Sequence, residues 1–260
     1  MAIIAIAVYD TVENNRSKMT LATLRSLAKT VDWNRHRLFI SDNGSCDETL
    51  QIYVDMAHEL PFTLLLNGEN LGTAAAINKA WKHRNPGEAA VKMDNDVTIA
   101  QAGWADWMED VFDRDPAIGI CGLKRKDLGE CPWGTGAMRS TLHMLRHQPG
   151  QRWLVVEKVH HVMGTVQGYS SKLLDEIGYL YQIQNEGNKY GFDDSLASVR
   201  AHLAGYSTVF LCGFEIEHID PGGDAYCKEK KEIARKWMTR YQEVVKEYRS
   251  GKRPLYWSDK

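Results

Sequence analysis

The sequence predicts an α/β fold built on a mostly parallel central sheet. Two observations carry this expectation. Short apolar runs alternate with segments of helical period through the first half of the chain, which is the pattern of repeated βαβ units. The first of these runs is apolar throughout rather than at every second residue, as expected of a strand covered on both faces. At 260 residues, with 43% hydrophobic and 25% charged residues, the chain suffices for one large domain, or one domain with a small appendage. A net charge of −2 supplies no global field for nucleic acid.

The elements follow in order. Residues 2–8 read as the first strand, then 17–29 as a helix with Leu21, Leu24 and Leu27 on one face. A strand at 37–41 leads to a helix at 47–57 whose first turn carries Asp47 and Glu48. A strand at 62–66, a helix at 73–83 and a strand at 89–93 complete the first half. A helix at 104–112 and a strand at 118–122 come next. From 124 to 150, Gly129, Pro132, Gly134, Gly136, Pro149 and Gly150 break any periodicity, so a long irregular loop is expected. The remainder reads as a strand at 162–167, helices at 171–177 and 194–204, a strand at 208–211 and a long C-terminal helix. The N-terminal apolar run is too short for a signal peptide or a membrane span, and lacks a basic flank. The five cysteines, Cys46, Cys121, Cys131, Cys212 and Cys227, are widely spaced and form no C-x-x-C pair. Neither a zinc ribbon nor a disulfide framework is expected, and a reducing cytoplasm fits them.

The chemistry is concentrated at strand ends. Asp94-Asn95-Asp96 closes the run Ala89-Ala90-Val91-Lys92-Met93. Two carboxylates two residues apart point to one side of an extended segment, at the edge where ligands of open α/β sheets bind. Hard oxygen ligands there suit Mg²⁺ or Mn²⁺ holding a diphosphate; read alone, the same motif also fits a loop with two solvated acids. Ser41-Asp42-Asn43-Gly44-Ser45-Cys46-Asp47 ends the second strand. Asp42 there can accept from a base or ribose hydroxyl, and Asp47 can cap the next helix. In Asn67-Gly68-Glu69-Asn70-Leu71-Gly72-Thr73-Ala74-Ala75-Ala76-Ile77-Asn78, small residues let a helix start lie close to a ligand or to the sheet.

Together these pieces resemble the family 2 glycosyltransferases, whose fold is called GT-A. The polar loop Tyr9-Asp10 stands after the first strand. The Asp-x-Gly-Ser-x-Asp turn is matched by Asp42, Gly44, Ser45 and Asp47, and the Asn-x-Gly-x-Ala-x-Ala-x-Asn helix start by Asn70, Gly72, Ala74, Ala76 and Asn78. The D-x-D is matched by Asp94 and Asp96. Gly191-Phe192-Asp193-Asp194, running on to Arg200, is similar to the family's Glu-Asp motif, with Asp193 where Glu is usual. Glu217-His218-Ile219 is similar to its late histidine. The resemblance spans residues 2–220.

It implies a GT-A domain at 1–220, with a nucleotide-sugar donor half at 1–98 and an acceptor half at 99–220. Residues 221–260 are then a flexible loop and a basic amphipathic helix. The implied activity is a metal-dependent inverting transfer of a hexose or pentose from a nucleotide sugar, most commonly UDP-linked, to an acceptor hydroxyl. Mn²⁺ or Mg²⁺ would be held by Asp96, Asp94 and His218. The donor would meet Tyr9, Asp42, Ser45, Asn70, Gly72, Asn78 and Asp94. Asp194 is the implied general base, and Asp193, Gln167 and Trp133 would position the acceptor, with Gly164 and Gly168 letting a sugar approach. The acceptor could be a saccharide or a hydroxymethylated base in DNA. From residue 228 onward eleven Lys/Arg face five Asp/Glu, with Ile233, Trp237, Tyr241, Val244, Val245 and Tyr248 at helical spacing. The segment reads as a surface helix on the domain or as a basic flap over an anionic acceptor.

Two rival classes remain. Asp94-Asn95-Asp96-Val97-Thr98 also fits the Asp-x-Asp-x-Thr signature of haloacid-dehalogenase-like phosphatases, although three strand–helix units precede it here. A non-catalytic nucleotide-sugar-binding module would bind donor and release no nucleoside diphosphate.

Overall fold

The computed structural model describes residues 1–129, 141–145, 150–183, 191–220, 222 and 225–258. The first half alternates as expected: β1 (Ala2–Val8), α1 (Ser17–Thr30), β2 (Arg37–Asp42), α2 (Asp47–Met56), β3 (Thr63–Leu66), α3 (Thr73–Trp81) and β4 (Ala89–Met93). Then come β5 (Val97–Ile99), α4 (Trp104–Arg114), β6 (Ile118–Arg125), β7 (Thr141–Met144), β8 (Val155–Val159), β9 (Val166–Tyr169), α5 (Ser171–Ile177), α6 (Asp193–Leu203), β10 (Ser207–His218) and α7 (Ala225–Arg249).

One sheet runs through the molecule in the order β3-β2-β1-β4-β9-β6-β10-β8-β7, with β5 paired to β10. Strands β3, β2, β1 and β4 are parallel neighbours. Their carboxyl ends therefore bring three loops to one edge: Tyr9-Asp10, Asp42–Asp47 and Asp94–Asp96. Antiparallel β9 slots between β4 and β6. Its approach segment crosses that edge, where the Asp94 N–H donates to the Thr165 carbonyl at 3.0 Å.

Alternation along β1 sorts the core into two layers. Ile4, Ile6 and Val8 pack with Leu24 and Leu27 of α1 and with Trp104 and Met108 of α4. Ile3 and Ala5 pack on the other face with Ile77 and Trp81 of α3 and Leu173 of α5. Both faces are thus covered, which is why β1 reads as a continuous apolar run. A third cluster of Tyr181, Leu196, Val244, Val245 and Tyr248 seats the C-terminal half of α7 near α6.

Three features depart from the expected elements. β10 does not stop near Leu211: it passes a register break between Phe210 and Glu215 and continues to His218. There it pairs antiparallel with β5, setting His218 opposite Val97. Gly213, at φ +87°, takes a left-handed conformation open to glycine, and the break ends the apolar run that marks the strand in sequence. β9 begins at Val166 rather than 162; Val162 packs in the core and 163–165 line the cleft. The stretch expected as one long loop contains the end of β6, then β7; its 130–140 and 146–149 fall outside the described residues, as does Trp133. The expected flexible joint at 221–224 lies outside them too, except for Gly222.

The C-terminal tail returns to the domain. Trp257 N–H donates to the Ile177 carbonyl and Tyr179 N–H to the Trp257 carbonyl, each at 2.8 Å. Gly178 is required at this crossing: it has φ +72°, and a Cβ there would stand 1.9 Å from the Trp257 carbonyl oxygen. Beside it Arg200 is fully buried and donates to the carbonyls of Tyr179 (2.7 Å), Leu255 (2.6 and 2.9 Å) and Ile177. Burial lowers its guanidinium pKa to about 10. Arg200→Ala leaves these carbonyls without their donor, and is expected to cost about 3–5 kcal/mol in denaturant unfolding. Arg200→Lys recovers only part of that, since an ammonium lacks the planar fork.

Candidate active site

The loops at the carboxyl edge, the approach to β9, the start of α6 and the N-terminal half of α7 enclose a cleft of about 1,000 Å³. Among its lining residues, Asp96, His218 and Asp220 each place a ligand atom within 4.8 Å of the others. The β5–β10 ladder makes this meeting possible, and the Ile219 N–H donates to the Asp96 carbonyl at 2.9 Å. Asp96 Oδ1 is buried with no hydrogen-bond partner among the described residues. His218 Nε2 stands 3.5 Å away, too far for a well-formed bond. An orphaned carboxylate oxygen facing an imidazole and a second carboxylate is a donor set fitted to a divalent cation, and the imidazole favours Mn²⁺ over Mg²⁺. Burial raises the Asp96 carboxyl, but His218, Lys230 and Arg16 outweigh it and hold the group below its ordinary range. Burial likewise acts against Asp220, whose bonds from Arg16 and Gly222 bring it down to about 2.

Asp94 lines the cleft but is not one of this trio. Burial pushes its carboxyl up to about 6, against the pull of Lys92 and with the push of Asp96. The residue between the two acids fixes their turn. Asn95 Nδ2 donates to Asp10 Oδ1 at 2.9 Å and to Thr20 Oγ1 at 2.7 Å. Asp10 is wholly buried, and its Oδ2 accepts from Thr20 and Thr49 at 2.6 and 3.1 Å. The polar loop after β1 thus anchors the D-x-D from behind.

The cleft is also lined by Asp193 and Asp194, which open α6 after two left-handed residues, Gly191 (φ +84°) and Phe192 (φ +70°). Asp193 is paired with buried Lys92 at 2.6 Å. Asp194 Oδ2 accepts from the Gly164 N–H at 2.9 Å and Oδ1 from the Ser195 N–H at 2.7 Å. His161 Nε2 lies 3.6 Å from Oδ2. Burial alone would raise the Asp194 carboxyl; the charges of His161 and Lys92 and these two N–H bonds bring it below its ordinary range. A Cβ on Gly164 would meet Lys92 Nζ at 2.4 Å, so this glycine makes room for the protein's own lysine.

The remaining sequence-predicted residues divide. Tyr9, Asn70 and Gly72 line the cleft. Asp42 is buried beside it: Oδ1 accepts from the Gly44 and Ser45 N–H groups at 3.0 and 2.9 Å, and Oδ2 from the Tyr53 hydroxyl at 2.8 Å. Ser45 Oγ accepts from the Asp10 N–H at 3.0 Å. The neighbour that does line the cleft is Asn43. Asn78 is buried and bonds the Leu180 carbonyl and N–H at 2.8 and 3.0 Å. Gln167, also buried, bonds the Val162 carbonyl at 3.0 Å and the Tyr169 hydroxyl at 2.5 Å. A Cβ on Gly168 would press on Met108 Sδ of α4 at 3.0 Å.

Arg16, Lys92, Asp220 and α7's Lys230, Ile233 and Trp237 line the cleft without having been singled out as site residues. A second cluster, His36, Asp106 and Glu109, is already compensated, since Arg35 reaches both acids and the N-terminal amine pairs with Glu109.

The sequence matches the family model described as glycosyl transferase family 2 over residues 6–178. The chain belongs to this family. A comparison with curated proteins gives no match. Solved structures agree on the fold, a GT-A mixed α/β arrangement. The mannosyltransferase PcManGT from Pyrobaculum calidifontis, in complex with GDP-Man and Mn²⁺, matches with TM-score 0.62 at 17% identity, over 86% of this chain and 58% of that one. S. aureus TarS 1-349 in complex with UDP gives 0.60 at 20% identity, over 84% and 60%. GalNAc-T7 with UDP, GalNAc and Mn²⁺ gives 0.59 at 13% identity, over 94% and 50%. The family 2 chain described here therefore spans half to three-fifths of these proteins. Among its described helices, none is long and apolar enough to cross a membrane.

Proposed function

We propose that this family 2 chain is a metal-dependent, inverting glycosyltransferase that moves a sugar from a nucleotide-sugar donor, UDP-linked by first expectation, to an acceptor hydroxyl. The observation that carries the reading is that one cleft is lined both by a cation-fitted trio, Asp96, His218 and Asp220, and by a fixed carboxylate, Asp194. The structures of PcManGT and GalNAc-T7 complexed with Mn²⁺ and with GDP-Man or UDP support it by likeness of fold. A divalent cation held by Asp96, His218 and Asp220 would supply charge neutralisation to a departing diphosphate.

The chain's own groups do the rest. Tyr9, Asn43, Asn70 and Gly72 form the donor wall at the carboxyl edge of β1, β2 and β4. Asp194, ionised at neutral pH and held by two N–H groups, accepts the proton of the acceptor hydroxyl. The hydroxyl oxygen bonds the anomeric carbon as the carbon–diphosphate bond breaks, and one displacement from the opposite face inverts that carbon. Lys92 keeps Asp193 paired, leaving Asp194 as the carboxylate nearer solvent. Trp237 and Ile233 give the acceptor side an apolar strip suited to a sugar face. Six carboxylates and six Lys/Arg line the cleft among the described residues. A cation and a diphosphate entering together carry opposite charge and preserve that balance. Family membership and the three preceding βα units favour this reading over a phosphatase.

The test is a screen of nucleotide sugars by thermal shift, with and without Mn²⁺, followed by assay of released nucleoside diphosphate. One donor is expected to raise Tm only with Mn²⁺ present and to yield diphosphate on transfer. Stabilisation without any release would leave a binding module; no Mn²⁺-dependent stabilisation by any donor would overturn the proposal.

A further inference from the structure

Arg16 lies between two of the three side chains fitted to a cation. Its guanidinium is 3.0 Å from Asp96 Oδ2 and 2.5 Å from Asp220 Oδ2, and the three side chains are only 3%, 6% and 5% exposed. The partners come from the loop after β4 and the segment after β10, so this fork joins three distant parts of the chain. Arg16 is also the N-cap residue of α1, with no side-chain cap bond. A cation is disfavoured at a helix N-terminus, so the two carboxylates, not the helix, account for its placement.

The bonding of each acid is unequal. Asp96 keeps Oδ1 for a cation while Oδ2 serves Arg16. Asp220 has both oxygens engaged, Oδ1 by the Gly222 N–H at 2.9 Å and Oδ2 by Arg16. We propose that Arg16 is a built-in competitor of the divalent cation: it neutralises the buried Asp96–Asp220 pair while no cation is bound, and must release Asp220 for the cation to be held by all three ligands. The released guanidinium stays on the cleft wall, where an incoming diphosphate can take it up. Cation and diphosphate loading are thereby coupled through one side chain. This inference rests on the reading of Asp96, His218 and Asp220 as cation ligands.

The experiment measures Mn²⁺ binding to the full chain without nucleotide, by EPR or calorimetry, for the unaltered protein, Arg16→Gln, Arg16→Lys, Arg125→Gln and Asp96→Asn. Arg16→Gln is expected to bind Mn²⁺ about tenfold more tightly, because one charge-assisted bond no longer has to break. Its Tm in EDTA should fall, and Mn²⁺ should raise that Tm more than it raises that of the unaltered protein. Arg16→Lys, which retains charge but not the two-pronged bridge, should fall between and carries the test if Arg16→Gln does not fold. Arg125→Gln removes a cleft cation bonded to Asp127 instead, and should change Mn²⁺ affinity by less than the Arg16 variants. If neither Arg16 variant binds Mn²⁺ more tightly, or Arg125→Gln tightens it equally, the competitor role is overturned. If Asp96→Asn binds Mn²⁺ as the unaltered protein does, the cation site itself is misplaced and both readings fall.

Discussion

Asp194→Asn is expected to retain donor binding and to lower the transfer rate by about 10²–10⁴-fold, the usual worth of a positioned general base. The substitution preserves shape. One amide oxygen can still accept from the Gly164 N–H, so the approach to β9 should keep its path. What disappears is the capacity to take the acceptor's proton. Asp193 cannot substitute, because its carboxylate is buried against Lys92 at 2.6 Å and separating them would strand a buried charge. Donor affinity by thermal shift and turnover by nucleoside diphosphate release separate the two effects. Transfer at the normal rate in Asp194→Asn removes the base assignment.

Asp96→Ala is expected to abolish Mn²⁺-dependent donor binding. It removes the oxygen that faces His218 and breaks a buried ion pair with Arg16, a loss of about 3–5 kcal/mol where one partner of such a pair is deleted. Two readouts therefore move together: a lower Tm in EDTA, and the disappearance of any further Tm increase on adding Mn²⁺ with the donor. A variant that loses stability yet keeps the Mn²⁺-dependent shift would show that Asp96 is structural only.

Much of this site was legible because it lies where local pattern is strong. Asp94-Asn95-Asp96 follows a fully buried strand, and Asp193-Asp194 opens a helix, so both announce themselves at element boundaries. Asp220 was not legible. It reaches Asp96 only because β10 survives a register break and pairs with β5, a contact set by tertiary packing rather than by propensity. The alternation Glu215-Ile216-Glu217-His218 was the available signal for that extension. Two other signals stood in plain view: Lys92 within an otherwise apolar strand, which demands a buried partner, and Arg16 at a helix start lacking first-turn acids. Asn78 and Gln167 show the converse difficulty. A polar side chain in an apolar segment must bond something, but sequence does not say whether the partner is a ligand or, as the structure places them, the protein's own Leu180, Val162 and Tyr169.

The return of the tail to Ile177 and Gly178 ties one lining element of the cleft to residues 255–257. The helix that begins with Asp193-Asp194 has its arginine satisfied by a carbonyl at position 255. Without that residue in place, the helix retains a buried cation short of acceptors. Removing the segment around residue 255 is therefore expected to loosen the helix that carries Asp193 and Asp194, while β1, β2 and β4 keep their own pairing and packing.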